Sequence, residues 1–234
     1  MCGRYYRRSD KQQIAEAFRL GLPTTFEILP SFNVCPQSFQ PIVRLDKDSG
    51  ERELTQARWG LVPFWAKDPK IAYNTINAKG ETLANSPTFR EALKRRRCLV
   101  PLDGFYEWEP RGSKTKQPYA VGLASGGPFA VAGLWDRWKD MASGEWLDTF
   151  TVITIDPNEL MEPFHNRMPV ILRPGDFERW MEPGDPARLP LDLLRPYPAD
   201  EMKAWKIGSG VGNVRNDHEG LIAPVDEPAQ ASLF

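Results

Sequence analysis

A cysteine in second position is chemically unlike any other once the methionine before it is gone. Cys2 would then carry a free thiol beside a free α-amine. The amine condenses with an aldehyde to an imine, and the thiol closes that adduct into a thiazolidine ring. Reference pKa values of about 8 for such an amine and about 8.5 for a thiol leave both a modest shift away from nucleophilicity at neutral pH. A small second residue permits removal of Met1. The plainer reading makes Cys2 an early residue of a first strand, and the residue alone does not decide between the two.

Three further polar residues stand where propensity does not explain them. Glu107 lies in Asp103-Gly104-Phe105-Tyr106-Glu107-Trp108, an aromatic run in which a carboxylate is out of character. Desolvation there would raise its pKa and suit it to acid/base work. Alternation equally allows a Glu pointing outward between inward Tyr106 and Trp108. His165 precedes Arg167 and Pro169; with a pKa of about 6.5 it is either a proton shuttle or a half-exposed loop residue. Asn77, close to Lys79, has the groups to fix a substrate or the terminal amine, and equally those of a turn cap. Trp59, Phe64 and Trp65 make a candidate platform for stacking bases, or belong to the core. Arg4, Arg7, Arg8, Lys67, Lys70 and the run Lys94-Arg95-Arg96-Arg97 suit phosphates or a solvated face.

The elements that must position these groups follow from alternation and punctuation. Ser9 to Leu20 reads as a helix, with Ser9 as N-cap, Gln12 completing a capping box and Gly21 as stop. Ser31 to Pro36 is a short extended piece. Gln40 to Leu45 and Glu51 to Trp59 read as a hairpin across Asp46–Gly50. Ser86-Pro87 caps a helix reaching Arg96, with its basic residues gathered where the dipole favours them. Strands are expected over Cys98 to Trp108, broken at Asp103-Gly104, and over Pro118 to Ala124, Phe129 to Trp138 and Trp146 to Ile155. Asp156 to Phe164 reads as a helical link. Short helices follow at Pro174 to Met181 and Leu191 to Leu194, then a last strand from Met202 to Ile207. With strict βαβ alternation absent, this is an α+β pattern of mostly antiparallel, barrel-like sheet with flanking helices. One domain is expected over 1–225, and a polar, frayed tail over 226–234.

Composition narrows the classes. No stretch approaches the roughly 20 apolar residues of a membrane span. Arg4, Arg7, Arg8, Asp10 and Lys11 crowd the place of a signal-peptide core. Three widely spaced cysteines, Cys2, Cys35 and Cys98, argue for a reducing cytoplasm over a disulfide framework. With only two histidines and no zinc-ligand spacing, neither a metal nor a cofactor is expected. The net charge of −1 conceals an excess of Lys+Arg over Asp+Glu of 20 to 13 in residues 1–120, and the reverse, 10 to 18, in residues 121–234. A basic face toward a polyanion is compatible with that, as is simple mixing of charge on folding.

Met1-Cys2-Gly3-Arg4, Trp59-Gly60-Leu61-Val62-Pro63 with Trp65, Asn77-Ala78-Lys79-Gly80-Glu81-Thr82, Asp103 to Trp108, and His165-x-Arg167-Met168-Pro169 occur in this order, and Val211 to Asn216 closes the set. Together they resemble the SOS-response-associated peptidase (SRAP) family of abasic-site processing proteins. The resemblance implies a single α+β SRAP domain with a partly open β-barrel and a basic groove for single-stranded DNA. Its activity would be a covalent thiazolidine crosslink between the N-terminal Cys2 and the ring-opened aldehyde of an abasic site, shielding the lesion. Catalytic roles would fall on Cys2, Asn77, Glu107 and His165, and DNA contacts on Arg4, Trp65, Lys79 and Arg167. Lys79 stands where the family commonly has Arg, which reduces a bidentate phosphate grip to a point charge. Cys35 replaces a small residue such as Ala, and reads as a buried small hydrophobe or as a redox partner of Cys2.

The resemblance further implies a cytoplasmic monomer, nucleoid-associated when bound to DNA, that takes part in the SOS response to DNA damage. A weak lyase activity through the imine, and autocatalytic release of Met1, are compatible with the same residues. The alternatives are a cysteine-type peptidase using Cys2 as N-terminal nucleophile, and a non-covalent DNA binder with Trp65 as wedge.

Overall fold

The break expected at Asp103-Gly104 is where the chain passes from one sheet to another. A Cβ on Gly104 would meet the Tyr6 ring at 2.3–2.4 Å, so glycine is required at this crossing. Asp103 is buried and accepts from the Arg8 and Ser9 backbone N–H groups, both at 2.9 Å, and from the Ser9 hydroxyl at 2.7 Å. These relations come from a computed structural model that describes residues 2–21, 26–111, 115–182 and 188–225. The tail expected over 226–234 lies outside them.

The described elements, in chain order, are β1 (Tyr5–Arg7), α1 (Lys11–Phe18), β2 (Ser31–Val34), β3 (Phe39–Leu45), β4 (Arg52–Trp59), β5 (Asn77–Lys79), α2 (Arg90–Arg95), β6 (Arg97–Leu102) and β7 (Gly104–Arg111). They continue with β8 (Thr115–Leu123), β9 (Phe129–Lys139), β10 (Trp146–Ile155), β11 (Met168–Pro169), β12 (Ile171–Leu172), α3 (Phe177–Met181) and β13 (Met202–Lys206). Strands β4, β3, β6, β9 and β10 pair in succession, and β10 returns to β4, closing a five-stranded barrel. The closing seam is parallel and rests on Thr149↔Arg58 and Phe150↔Trp59. The other pairs in the ring are antiparallel, as the hairpin spacing predicts. Ile42, Leu99, Val100, Val131, Phe150 and Ile153 are fully buried core residues, with Trp59 stacked on Phe150. The α+β architecture of mostly antiparallel sheet with a barrel and flanking helices is as expected, and the barrel is closed where a partly open one was expected.

A second sheet runs β13-β8-β7-β1-β2. Its β1–β7 ladder (Tyr5↔Phe105, Tyr6↔Gly104) carries the chain's first residues across Glu107. The far end of β10 leaves the barrel between β5 (Asn77↔Val152, Lys79↔Thr154) and β11 (Thr154↔Pro169). Those two short strands bring the Asn77 and His165–Arg167 motifs to one end of the molecule.

Local corrections have local causes. The N-cap of α1 is Asp10, with Gln13 completing the capping box, because the Ser9 hydroxyl is already committed to Asp103. Helix α1 ends at Arg19 in the left-handed conformation (φ 53), two residues before Gly21. Helix α2 begins at Arg90, and Ser86 instead starts the turn before it, its carbonyl accepting from Phe89 and Arg90. The link over 156–164 is a series of turns, not a helix. There the buried Asn158 side chain accepts from Met161 N–H at 3.0 Å and donates to the Tyr197 carbonyl at 2.7 Å, drawing the backbone into a local turn.

Candidate functional site at the chain terminus

Strand β7 is buried on both faces, which is why alternation alone could not orient Glu107. Phe105 faces the main core, while Tyr106 and Trp108 join Tyr6 in a smaller cluster. Glu107 therefore lies on the Phe105 side, 4% exposed. The β1–β7 register is prolonged by a 3.0 Å hydrogen bond from Tyr106 N–H to the Arg4 carbonyl, so Gly3 comes opposite Glu107. Across the other edge Glu107 pairs with Tyr119, whose ring packs 4.7 Å from Phe164, the residue before His165. The sheet thus places Cys2, Glu107 and His165 about one point.

Electrostatics point to the same convergence. Burial pushes the Glu107 carboxyl up to about 7, while the positive charge at the chain terminus and Lys116 draw it back. Burial pushes the Cys2 thiol up to about 12, the Glu107 charge adding to that and the terminal charge opposing it. Burial lowers the His165 pKa, with the terminal charge, Lys116 and Arg167 acting in the same sense. One terminal charge bears on all three groups. His165 Nδ1 accepts from the Arg167 N–H at 3.0 Å, which leaves the proton of the neutral ring on Nε2. A carboxyl that is half protonated near neutrality and a neutral imidazole can exchange protons with a bound reactant without a change of pH.

Asn77 reaches the same point from β5. Its Nδ2 donates to the Cys2 carbonyl at 2.9 Å, and its Oδ1 is buried with no hydrogen-bond partner among the described residues. All three cysteines are free. Cys35, expected as a buried small hydrophobe or a redox partner of Cys2, is half-buried and free, and its thiol donates to the Asn33 carbonyl at 3.2 Å. No group of three or more His, Cys, Asp or Glu suited to a metal occurs among the described residues.

The residues singled out for DNA separate into two kinds. Trp65 is 49% exposed, with Phe64 beside it at 53%, and Lys79 is exposed. Trp59 does not belong to the platform: it is fully buried, and its Nε1 donates to the Ile76 carbonyl at 2.8 Å. The arginines are engaged within the protein. Arg4 donates to Asn33 Oδ1 at 2.7 Å and to the Val211 carbonyl at 2.9 Å. Arg167, its side chain 11% exposed, forms a two-pronged pair with Glu81 (2.9 and 2.8 Å), a bond to Asp156 at 2.8 Å and one to the Thr154 carbonyl. Arg167 thereby ties the Asn77–Thr82 segment to the His165 segment.

Asn33 was not marked by the sequence at all. It accepts from Arg4 and donates to the carbonyls of Val211, Asn213 and Asn216, clasping the late Val211–Asn216 motif over β1 and β2. Its type and neighbours are those of any short strand; only its partners in the late motif, 178 to 183 positions away, set it apart. Asn33→Ala should leave the Arg4 guanidinium and these carbonyls short of partners, at a cost of about 2–3 kcal/mol. Urea unfolding checks this: a midpoint equal to the parent's would show that the clasp contributes nothing.

The family model described as SOS response associated peptidase (SRAP) matches residues 1–214. Abasic site processing protein YoqW of Bacillus subtilis (strain 168) is 44% identical over 226 residues, spanning 95% of this chain and 99% of that one. Abasic site processing protein HMCES of Gallus gallus is 34% identical over 253 residues, spanning 95% of this chain and 73% of that one. A solved structure from Bacteroides thetaiotaomicron superposes with a TM-score of 0.86 at 26% identity, covering 96% of this chain and 100% of that chain. One from Bordetella bronchiseptica gives 0.75 at 30% identity, covering 88% and 100%.

Proposed function

Because the chain belongs to the SOS response associated peptidase (SRAP) family, we propose that it processes abasic sites in single-stranded DNA, capturing the lesion covalently through Cys2. The observation that carries this reading is the convergence of Cys2, Asn77, Glu107 and His165 on the chain terminus, with the Glu107 carboxyl poised at about 7. The relatives' names supply the substrate class, and the site supplies the chemistry.

The steps balance with these groups alone. Removal of Met1 moves the α-amine onto Cys2, whose carbonyl already accepts from Asn77 Nδ2, and the buried Asn77 Oδ1 is an acceptor suited to hold it. An abasic sugar is mostly a closed hemiacetal; as the anomeric hydroxyl gives up its proton and the ring oxygen receives one, the C1′–O4′ bond breaks and the aldehyde is released. The Cys2 amine adds to that carbonyl carbon. The carbinolamine then loses water, the protonated Glu107 supplying the proton that the departing hydroxyl takes. Glu107, now a carboxylate, accepts the thiol proton as Cys2 Sγ bonds to the imine carbon. The imine nitrogen, protonated since the loss of water, keeps that proton as its N–H and takes back the C=N electron pair, and a neutral thiazolidine results. His165, neutral with Nε2–H, relays protons at the sugar-opening step. Phe64 and Trp65 supply exposed faces on which unpaired bases stack, and Lys79 a phosphate contact.

The thiol's high pKa weighs against the peptidase reading. A cysteine peptidase needs a thiolate, and burial together with the Glu107 charge disfavours one at Cys2. An amine-first attack needs no thiolate until the imine has formed. Intact-mass spectrometry before and after mixing with an abasic oligonucleotide tests the proposal. We expect a protein lacking Met1 and a single adduct equal to protein plus DNA less one water. A protein that retains Met1 and still forms the adduct, or one without Met1 that forms none, would overturn it. Turnover of peptides in the absence of DNA would favour the peptidase reading.

A further inference from the structure

The exposed aromatics Phe64 and Trp65 sit on a loop that ought to be loose, and it is not. Three points on the β9–β10 hairpin fasten it. Val62 N–H donates to Thr149 Oγ1 at 2.8 Å, Phe64 N–H donates to Asp136 Oδ2 at 3.0 Å, and Trp138 Nε1–H donates to the Ala66 carbonyl at 2.7 Å. Thr149 and Asp136 are cross-strand partners, and the Thr149 hydroxyl donates on to the Asp136 carbonyl at 3.3 Å. Val62, Ala72 and Trp138 form a small core beneath the loop. Every second backbone group from 62 to 66 is thus held from below, and the side chains of 64 and 65 are left to face outward.

Asp136 is the unusual member. It is 2% exposed, a position where a carboxylate is costly and where an apolar residue would pack. Its other oxygen faces Arg96 Nη1 at 3.0 Å and accepts from Arg137 N–H at 2.8 Å. The Arg96 guanidinium, with its side chain 30% exposed, lies 5.8 Å from the centre of the Phe64 ring. One buried carboxylate therefore sets both the backbone that presents the aromatics and the cation beside them. A loop assembled this way loses little freedom when bases stack on it, which is how a preorganised surface gains affinity.

We propose that Asp136, seconded by Trp138, is the positioning residue that holds Phe64, Trp65 and Arg96 as a rigid stacking platform for the bases flanking the abasic site. This rests on the reading that the protein captures abasic single strands. Its test is the affinity for a single-stranded oligonucleotide carrying a tetrahydrofuran in place of the abasic sugar, which offers no aldehyde, measured by fluorescence anisotropy, alongside the rate of crosslinking to the abasic oligonucleotide at saturation. Asp136→Ala is expected to weaken binding about tenfold, the scale of one lost base stack. The loss should appear in affinity and not in the rate at saturation. Asp136→Asn, which keeps an acceptor for the Phe64 N–H, should recover most of it. In a Trp65→Ala background Asp136→Ala should cost less than it does in the parent, since one stacking face of the platform is already gone.

Should Asp136→Ala fail to fold, Trp138→Phe keeps the ring while removing the donor to Ala66, and the same affinity loss and the same non-additivity are expected of it. Parent-like affinity in the folded variants, or losses that add to those of Trp65→Ala, would overturn the inference while leaving the proposed function standing. A parent protein that neither binds nor crosslinks the oligonucleotide would take both down.

Discussion

Cys2→Ala is expected to form no heat-stable adduct with abasic DNA. The substitution removes one buried sulfur and leaves the backbone that pairs with Asn77. Alanine is also a small second residue, so removal of Met1 and the free α-amine survive. What remains is an amine that forms an imine with the abasic aldehyde, and an imine hydrolyses when the complex is boiled in detergent. Cys2→Ser sharpens the point, because a hydroxyl closes the ring poorly and a longer-lived imine leaves time for β-elimination. Strand cleavage by Cys2→Ser above the parent's level, with little retained crosslink, is the matching expectation. Denaturing gels with labelled abasic oligonucleotide read both products. Cys2→Ala crosslinking as well as the parent would remove the thiol from the mechanism. The proposed reactive unit is amine and thiol on one residue, so a tag fused ahead of Cys2 should silence the protein as fully as loss of the sulfur.

The second large effect belongs to Glu107. Glu107→Gln keeps the shape of the side chain and removes its proton exchange, so crosslinking should slow by about 10²–10⁴-fold. The rate of the parent should change across a pH of about 7, where the buried carboxyl gives up its proton, and the variant's profile should lack that limb. Stability should move the other way. The folded value of about 7 lies above the reference 4.5, so the folded state holds this proton more tightly than the unfolded chain. That stabilisation is complete below about 4.5 and is lost as pH rises through 7. Glutamine does not ionise, so at pH 8 Glu107→Gln should be more stable than the parent, by about 2 kcal/mol. A variant that is slower and at the same time more stable at pH 8 separates chemistry from folding. Unchanged crosslinking in Glu107→Gln would reassign the proton transfers, with His165 the next carrier to test.

Several parts of the architecture were legible because their causes are local. The hairpin of β3 and β4, the strands β8, β9 and β10, and the change of direction at Asp103-Gly104 follow from alternation and turn residues within a few positions. Where side chains compete locally, the sequence misled. Ser9 has the type of an N-cap, but Asp103, ninety-four residues on, takes its hydroxyl, and the cap passes to Asp10. The short β5 was not visible, since Asn-Ala-Lys has little strand propensity and is held in place by β10 alongside it.

For the site, residue type and order alone supplied the candidate groups: a cysteine in second position, a carboxylate in an aromatic run at Glu107, one histidine ahead of Arg167, and the ordered motifs that tie the chain to a family. These are matters of residue type and order, and they hold before any folding. What each of these side chains touches is set by folding. Trp59 and Trp65 are six positions apart and identical in type, yet one fills the core and the other meets solvent. Arg4 and Arg167 read alike as phosphate ligands, but Asn33 and Val211 hold one while Glu81 and Asp156 hold the other. Glu107 gains its pKa of about 7 from burial, which β7 acquires only when both of its faces are covered. Burial and hydrogen-bond partnership depend on residues far apart in the chain, such as the 207 positions between Arg4 and Val211. No local pattern encodes them, and they are what buries Cys2 beside Asn77 and within the field of Glu107.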